Sequence, residues 1–530
     1  MNDDCKCVQD LAFSSKSLQA PDVFPHPVKQ LEIRETHISR IILTGEFAYK
    51  IKKPLNLGFM DASTLQRRRE LCELELRLNR RLAPDLYLEV VAIVCDSAGR
   101  LRFGGTGDVI EYAVRMRQFD SSQELHNLLA HHEVTTPELL DLATAIAKFH
   151  QHADSAASHS EYGSAAQIQA VVLSNLKRLL EFTAEAALMP ELKRLSDWTH
   201  DSVYQLAAVF EQRKQAGRVR ECHGDLHTRN IVRWQDLLTP FDCLEFDPQL
   251  RWIDVINDVA FLVMDLIGHD RPDLAYAFLS RYLESSGDYD GVRLLSFYAV
   301  YRASVRAMVD ALGARQMPAQ HQSMLQRLRQ RLHTALKFID RPTSALLIMH
   351  GPSGSGKSWL SERLVGELPA LRIRSDVERK RLAGIDPLAQ NHEVFGKGIY
   401  SAEFTNRTYA YLLDCAEACL QGGISVIVDA AFLQAGERHL FDELAMRMRV
   451  PYLIISCMAE PAVLAQRIAM RQARRADPSD ADQTVLAQQL QVMQPLSDEE
   501  SRHAVQANTA KDDLQAIVDR IRLRFVAISS

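Results

Sequence analysis

Residues 345–358 read Ala345-Leu-Leu-Ile-Met-His350-Gly351-Pro352-Ser353-Gly354-Ser355-Gly356-Lys357-Ser358: an apolar run, a glycine-rich turn, then a lysine and a hydroxyl. The run ALLIMH predicts a buried strand and the residues after Ser358 a helix, the setting that the pattern G-x-x-x-x-G-K-S/T requires. Glycines let successive backbone N–H groups turn inward around phosphate oxygens, and the N-terminus of the following helix favours the same anion. Lys357 would reach the β- and γ-phosphates of ATP, and the Ser358 hydroxyl would bind Mg²⁺.

Toward the C-terminus, ISVIVDAAF and VPYLIISCM read as strands that alternate with helices, which predicts a parallel α/β sheet. LRIRSD places Asp376 at the end of a second short strand, where parallel sheets collect ligands. There Asp376 would accept a proton from an acceptor hydroxyl. Asp429 ends SVIVDA and would hold the water shell of Mg²⁺, as a Walker B carboxylate does. For both aspartates the alternative is a helix cap. In RIAMRQARRADPSDA, Arg467, Arg471, Arg474 and Arg475 lie on a helix and its exit. Arginines on a closing segment would neutralise charge developing during transfer, although a solvated basic face accounts for some of them.

Over about residues 345–530 the chain resembles the small P-loop kinases that include gluconate kinase, chloramphenicol phosphotransferase, zeta toxins and the kinase half of phage polynucleotide kinase. The likeness rests on GPSGSGKS, on SDVERKRL with its Asp376-x-x-Arg379 spacing, on VIVDAAFL and on the arginine-rich segment. It implies a three-layer α/β/α P-loop fold, Asp376 as base, and Arg379 on the acceptor or its phosphate. Acceptors vary widely among such enzymes, so the motif identifies the donor better than the acceptor.

Toward the N-terminus, the basic helix HQSMLQRLRQRLHTALKFI stops at Asp340-Arg-Pro342-Thr-Ser344, which marks 339–344 as a linker. Ahead of it, helical patterns cover 123–215 and 270–338, with a strand-rich patch at about 217–247 between them. The first hundred residues mix strands such as SRIILTGEFAYKIKK and LEVVAIVCD with one periodic helix, TLQRRRELCELELRLNRRLA. Strands plus one helix, followed by a helical body, predicts two lobes.

Residues 222–231, CHGDLHTRNI, carry the sharper signal. The pattern H-G-D-L-H-x-x-N would arise by chance on the order of a few times per million chains of this length. It resembles the kinase catalytic loop, in which Asp225 would position or deprotonate the acceptor hydroxyl and Asn230 would hold a metal. The HGD form is similar to the aminoglycoside phosphotransferase and choline kinase group over about residues 30–338. That resemblance implies a bilobal protein-kinase-like fold, with an N-lobe over about 30–120, a C-lobe over about 121–338, and residues 1–29 as an extension.

A second metal carboxylate belongs on the next hairpin, in FDCLEFDPQLRWIDVINDVAFLVMDL. Relatives show it about a dozen residues before a second aspartate that precedes a helix; counting back from Asp258 lands on Phe246. Glu245 is therefore preferred, then Asp247, then Asp242, while Asp254 and Asp258 brace the loop. In EFAYKIKKP, Lys50 fits an inward lysine for the α- and β-phosphates, because Tyr49 and Ile51 point the other way along a strand. Lys52 shares its face. Glu75 is preferred over Glu73 as the ion-pair partner, the alternative for either being a solvated helix face. YAVRMRQF, residues 112–119, fits the hinge strand that would hold adenine.

The 530 residues, 47% hydrophobic and 25% charged, fit two to four ordinary globular domains. A formal net charge of -6 excludes a global basic field for nucleic acid or anionic membrane. The start MNDDCKCVQD does not read as a signal peptide, and no apolar run suits a membrane span, so the cytoplasm is the expected location. Nine scattered cysteines predict reduced thiols; Cys5 and Cys7 read as tail, Cys415 and Cys419 as packed. The expectation is an ATP- and Mg²⁺-dependent phosphotransferase with two nucleotide sites and small-molecule hydroxyl acceptors. The alternatives are one catalytic domain with a nucleotide-binding regulator, or a polynucleotide 5′-end or toxin-like kinase in the rear domain.

Overall fold

The computed structural model describes residues 13, 15–19, 22–56, 58, 60–96, 100–183, 186–387, 398–474 and 483–529. The backbone separates into two compact units, one made of Met1–Glu138, His152–Gly163 and Lys214–Asp258, the other of Leu139–Gln151, Ser164–Arg213 and Val259–Ser530.

The first unit is built on six strands: β1 (Glu32–Glu35), β2 (Ser39–Leu43), β3 (Phe47–Lys52), β4 (Tyr87–Cys95), β5 (Leu101–Phe103) and β6 (Asp108–Arg117). They form an antiparallel sheet in the order β1-β2-β3-β6-β4-β5. β3 is buried along its whole length. Strand alternation sends Tyr49 and Ile51 into an apolar cluster with Ile42, Ile93 and Phe103. Ala48 joins the opposite cluster with Cys72, Val114 and Met116. Lys50 and Lys52 share the side of Ala48, where helix α1 (Leu65–Asn79) lies. α1 starts because the Thr64 hydroxyl accepts from the Arg67 N–H, a cap worth about 1 kcal/mol.

Two small ribbons complete this unit: β7 (Val219–Glu221) pairs with β10 (Trp252–Asp254), and β8 (Ile231–Trp234) with β9 (Leu237–Pro240). The β8–β9 hairpin turns at Gln235 and Asp236, whose φ values of 50° and 63° supply the left-handed pair that a tight hairpin needs. Its consequence is positional. The residues on either side of the hairpin meet, the Phe241 N–H donating to the Asn230 carbonyl at 2.9 Å, so Asn230 and Asp242 share one end.

The second unit combines helices, among them Ala165–Phe182, Met189–Gln205, α2 (Pro272–Ser286), Leu295–Gln316 and His321–Ile339, with a five-stranded parallel sheet. Its strands are β11 (Leu346–His350), β12 (Ala370–Arg374), β13 (Ser425–Asp429), β14 (Tyr452–Cys457) and β15 (Ala504–Ala507), in the order β12-β13-β11-β14-β15. β11, β12 and β14 are buried at every residue, as expected of a sheet covered on both faces. The fold class read from the sequence, α+β in front and parallel α/β behind, is the one observed. Cys415 and Cys419 are buried, whereas Cys5 and Cys7 lie outside the described residues. Among the described residues, no helix is long and apolar enough to cross a membrane.

Candidate functional site

In the second unit, β11 ends at His350 and the chain turns through Gly351–Gly356 into helix α3 (Lys357–Glu367). Two turn positions require glycine. Gly351 has φ 136° and a Cβ there would lie 2.2 Å from the Cys457 carbonyl; Gly356 has φ 90° and its Cβ would lie 2.4 Å from the Thr509 hydroxyl. The loop's donors face polar groups that a phosphate could replace. The Ser353 N–H donates to the Gln489 side-chain oxygen at 2.7 Å, and Lys357 Nζ donates to the Pro352 carbonyl at 2.9 Å. Between them, Gly354 and Ser355 complete the turn, and the Ser355 hydroxyl is buried with no hydrogen-bond partner among the described residues.

Around the loop lies a cavity of about 370 Å³. Lys357, Ser358 and Asp429 line it, as do Asp376 and Arg379. Asp429 ends β13, is 5% exposed, and accepts from the Ser361 hydroxyl at 2.9 Å. The Ser358 hydroxyl and the Asp429 carboxylate are hard oxygen donors, the chemistry that suits Mg²⁺. Asp376 sits in the first turn of helix α4 (Ser375–Leu382), two residues past the end of β12. Arg379, three residues on, donates to the Ile399 carbonyl at 2.7 Å and the Thr405 hydroxyl at 3.1 Å, with its guanidinium over the Tyr400 ring.

Arg467 lines the same cavity and donates to the Thr509 hydroxyl at 2.8 Å and the Gly354 carbonyl at 3.3 Å. Arg471 and Arg474 share its helix, Pro461–Arg474, but their side chains, like all of Arg475, lie outside the described residues. Among the lining residues that sequence reasoning missed are Glu437 and Gln489. Glu437 reads in QAGE only as a capping-box residue for Gln434, yet it faces the cavity, and burial raises its carboxyl above the usual range. Gln489 carries no motif at all. Beneath the loop, burial first and then the charges of Arg438 and Lys357 push the His350 imidazole down to about 4.

In the first unit, Asp258 fixes the loop at residue 223: its carboxylate accepts from the His223 and Gly224 N–H groups at 2.8 and 2.9 Å. His223 Nδ1 accepts from the Asp225 N–H at 3.2 Å, which assigns the proton to Nε2, 2.9 Å from the Phe241 carbonyl. Burial lowers the His223 pKa, which favours this neutral form. The Asn230 amide donates to the Asp225 carboxylate at 2.9 Å and to its carbonyl at 3.0 Å.

Lys50 lies 2.8 Å from Glu75 and 2.5 Å from Asp242; Lys52 lies 2.5 Å from Glu75 and also pairs with Glu245. Glu73 is elsewhere, on the exposed face of α1 with Arg69. Burial works against the Lys50 ammonium, but Asp242, Glu75 and Glu245 outweigh it and hold the pKa well above the usual range. Burial also raises Glu75, yet the two lysines bring its carboxyl down to about 2. Glu245 moves the other way: burial keeps it above the usual range against the pull of Lys52.

The three candidate metal carboxylates thus occupy different settings. Glu245 is 4% exposed and turned inward on Lys52. Asp247 caps a short turn, accepting from the Gln249 N–H at 2.9 Å. Asp242 has a side chain 41% exposed and a backbone held at φ 62°, with its N–H donating to the Tyr87 hydroxyl at 3.1 Å. A left-handed backbone at a non-glycine residue costs on the order of 1 kcal/mol and tends to mark sites where a side chain is aimed. The two lysines face three carboxylates, and the backbone next to Asp242 pairs with that of Asn230. Oxygen donors with surplus negative charge are a setting that fits a divalent cation.

Several known proteins are similar to this chain. The uncharacterized protein Rv2004c of Mycobacterium tuberculosis is 29% identical over 455 residues, covering 85% of this chain and 89% of its own. A choline/ethanolamine kinase family protein from Mesorhizobium loti aligns over 64% of this chain and 96% of its own, at 13% identity and a TM-score of 0.37. A gluconokinase from Sinorhizobium meliloti aligns over 36% of this chain and 95% of its own, at 19% identity and a TM-score of 0.26. Residues 346–496, from the strand before the phosphate loop to past Gln489, match the model of the AAA domain, so the second unit carries a P-loop nucleotide-binding domain.

Proposed function

We propose that this protein is an ATP-dependent phosphotransferase that uses Mg²⁺ and transfers the γ-phosphoryl group to a hydroxyl of a small molecule at the P-loop site. The carrying observation is that one cavity joins the donor residues Lys357, Ser358 and Asp429 to Asp376 and Arg379. In the reaction a bond forms between the acceptor oxygen and Pγ, the bond from Pγ to the β-phosphate oxygen breaks, and ADP leaves. Asp376 takes the hydroxyl proton, while Lys357 and Arg467 hold the phosphate oxygens. Mg²⁺, held by Ser358 and Asp429, supplies charge neutralisation when bound.

The proposal includes a second nucleotide site, in the first unit. There Asp225 faces the acceptor, Lys50, steadied by Glu75, meets phosphate, and Asn230 with Asp242 holds metal. Asp242 takes that role in preference to Glu245 and Asp247, because it combines partial exposure with surplus negative charge. The test is ATP turnover by the intact chain, Lys357→Ala and Asp225→Ala against a panel of hydroxyl compounds and an oligonucleotide. Loss in Lys357→Ala is expected; turnover untouched by that change overturns the P-loop reading.

A further inference from the structure

Strand β12 reads Ala-Leu-Arg-Ile-Arg at the edge of the parallel sheet, yet Arg372 and Arg374 are only 7% and 8% exposed. Arginine at that depth needs a partner. For Arg372 the partners come from α2, which lies on the other side of the linker in the sequence. Arg372 Nη2 is 3.2 Å from Glu284, itself 1% exposed, and the Arg372 N–H donates to the Ser280 hydroxyl at 3.2 Å. Burial raises the Glu284 pKa, but Arg372, Arg374 and Arg281 outweigh it and keep the carboxylate charged.

The same guanidinium reaches the nucleotide site. Arg372 Nη1 donates to the Ser358 carbonyl at 3.3 Å. The Ser361 hydroxyl is 3.2 Å from that carbonyl but only 2.9 Å from the Asp429 carboxylate, and its one proton goes to the closer, charged acceptor. Arg372 is therefore the side chain that holds the Ser358 carbonyl, while Ser361 holds Asp429. A second tether fixes the acceptor side. Tyr289 donates to Glu378 at 3.0 Å, Glu378 pairs with Arg381 at 2.8 Å, and Arg381 donates to the Glu284 carbonyl. Arg381 crosses over Gly287, where a Cβ would lie 2.8 Å from its Nε.

We infer that α2 is a working part of the P-loop site, with Glu284 a positioning residue that acts through Arg372 on Ser358. The inference rests on the P-loop reading above. The Ser358 carbonyl lies in the first turn of α3 and is also held by the helix's own ladder, so loss of Arg372 removes the side-chain brace beside the place where the metal would be held while leaving Lys357 and Asp376 untouched. The predicted signature is weakened Mg²⁺-nucleotide binding with little change in the chemical step.

The test uses the full chain. In the double variant Glu284→Met/Arg372→Met, apolar side chains of similar length replace the buried pair, a change that is often neutral for folding. Arg372→Lys keeps the charge beside Glu284 but lacks the second arm. Titrating Mg²⁺ at fixed non-hydrolysable ATP analogue and following nucleotide binding by calorimetry, the double variant is expected to need about 10-fold more Mg²⁺ for half-saturation, and in turnover to show a KM for MgATP raised about as much with kcat within about threefold. Arg372→Lys shifts the same way by about threefold or more. Parent-like Mg²⁺ dependence in both, or in Arg372→Lys alone should the double variant not fold, overturns the inference. Lys357→Ala is measured alongside. Loss there with no shift in the other variants overturns the positioning role alone, and no loss there overturns the P-loop reading with it.

Discussion

At the front site, Lys50 and Lys52 are locked to carboxylates, whereas at the rear site Lys357 and Arg467 rest on carbonyl and hydroxyl oxygens of their own loop and its neighbours. Exchanging a neutral oxygen for a phosphate is favourable for a cation. Exchanging a buried carboxylate for one is close to neutral unless a metal first takes the carboxylate's place. On the proposed reading, the contacts of Lys357 and Arg467 with the Pro352, Gly354 and Thr509 oxygens would yield to a nucleotide's phosphates, whereas Lys50 would be released only once a cation takes Asp242.

The largest expected effect breaks that comparison on the rear side. Lys357→Ala should lower kcat/KM for ATP-dependent turnover by about 10²- to 10³-fold, while Lys50→Ala leaves the P-loop activity within about threefold. Equal losses in both would mean that a single site does the work. Next come folding energies in front, read by chemical denaturation. Lys52→Met strands Glu245 and should cost about 3–5 kcal/mol, whereas the double change with Glu245→Met should recover most of it. Glu73→Ala, on the exposed face of the same helix as Glu75, should cost less than about 0.5 kcal/mol.

Acid sharpens the contrast. His350 has a folded pKa of about 4 against 6.5, so the stability that its neutral form contributes is complete above about pH 6.5 and is lost as the pH falls toward 4. Glu75 has a folded pKa of about 2 against 4.5; its contribution is complete above about pH 4.5 and is lost toward pH 2. Each is worth on the order of 3 kcal/mol. Probes in the two units should therefore report loosening at the P-loop first on acidification, and the His350→Gln variant should narrow the gap. Gln489→Ala should have a small effect, since water can replace its amide at the Ser353 N–H; nucleotide affinity should move by about threefold or less.

The phosphate loop was legible because its chemistry is local: eight consecutive residues make the turn, the donors and the helix start. The HGD loop was legible for the same reason, and its brace at Asp258 followed from spacing. The choice among Glu245, Asp247 and Asp242 rests on counting back from Asp258, which assumes a standard loop length. Here a turn at Pro248–Leu250 lies between them, and which carboxylate meets Lys50 depends on how the β8–β9 hairpin returns. Glu437 and Gln489 reach the cavity only through the packing of distant helices. The arginines of ALRIR did carry a signal, since two charges at alternate positions of a buried strand demand partners. Sequence alone had no means to find those partners some ninety residues upstream.

β12 is an edge whose outward N–H at Arg372 is taken by a serine of α2. Edges left bare recruit other strands, commonly from a second copy of the same molecule. A fragment cut within 339–344 would carry the whole phosphate loop and yet leave without the helix that covers this edge, with Arg372 stripped of its counter-charge. Self-association, more than lost chemistry, is the fate such a fragment invites, and an expression boundary ahead of Pro272 is the one that avoids it.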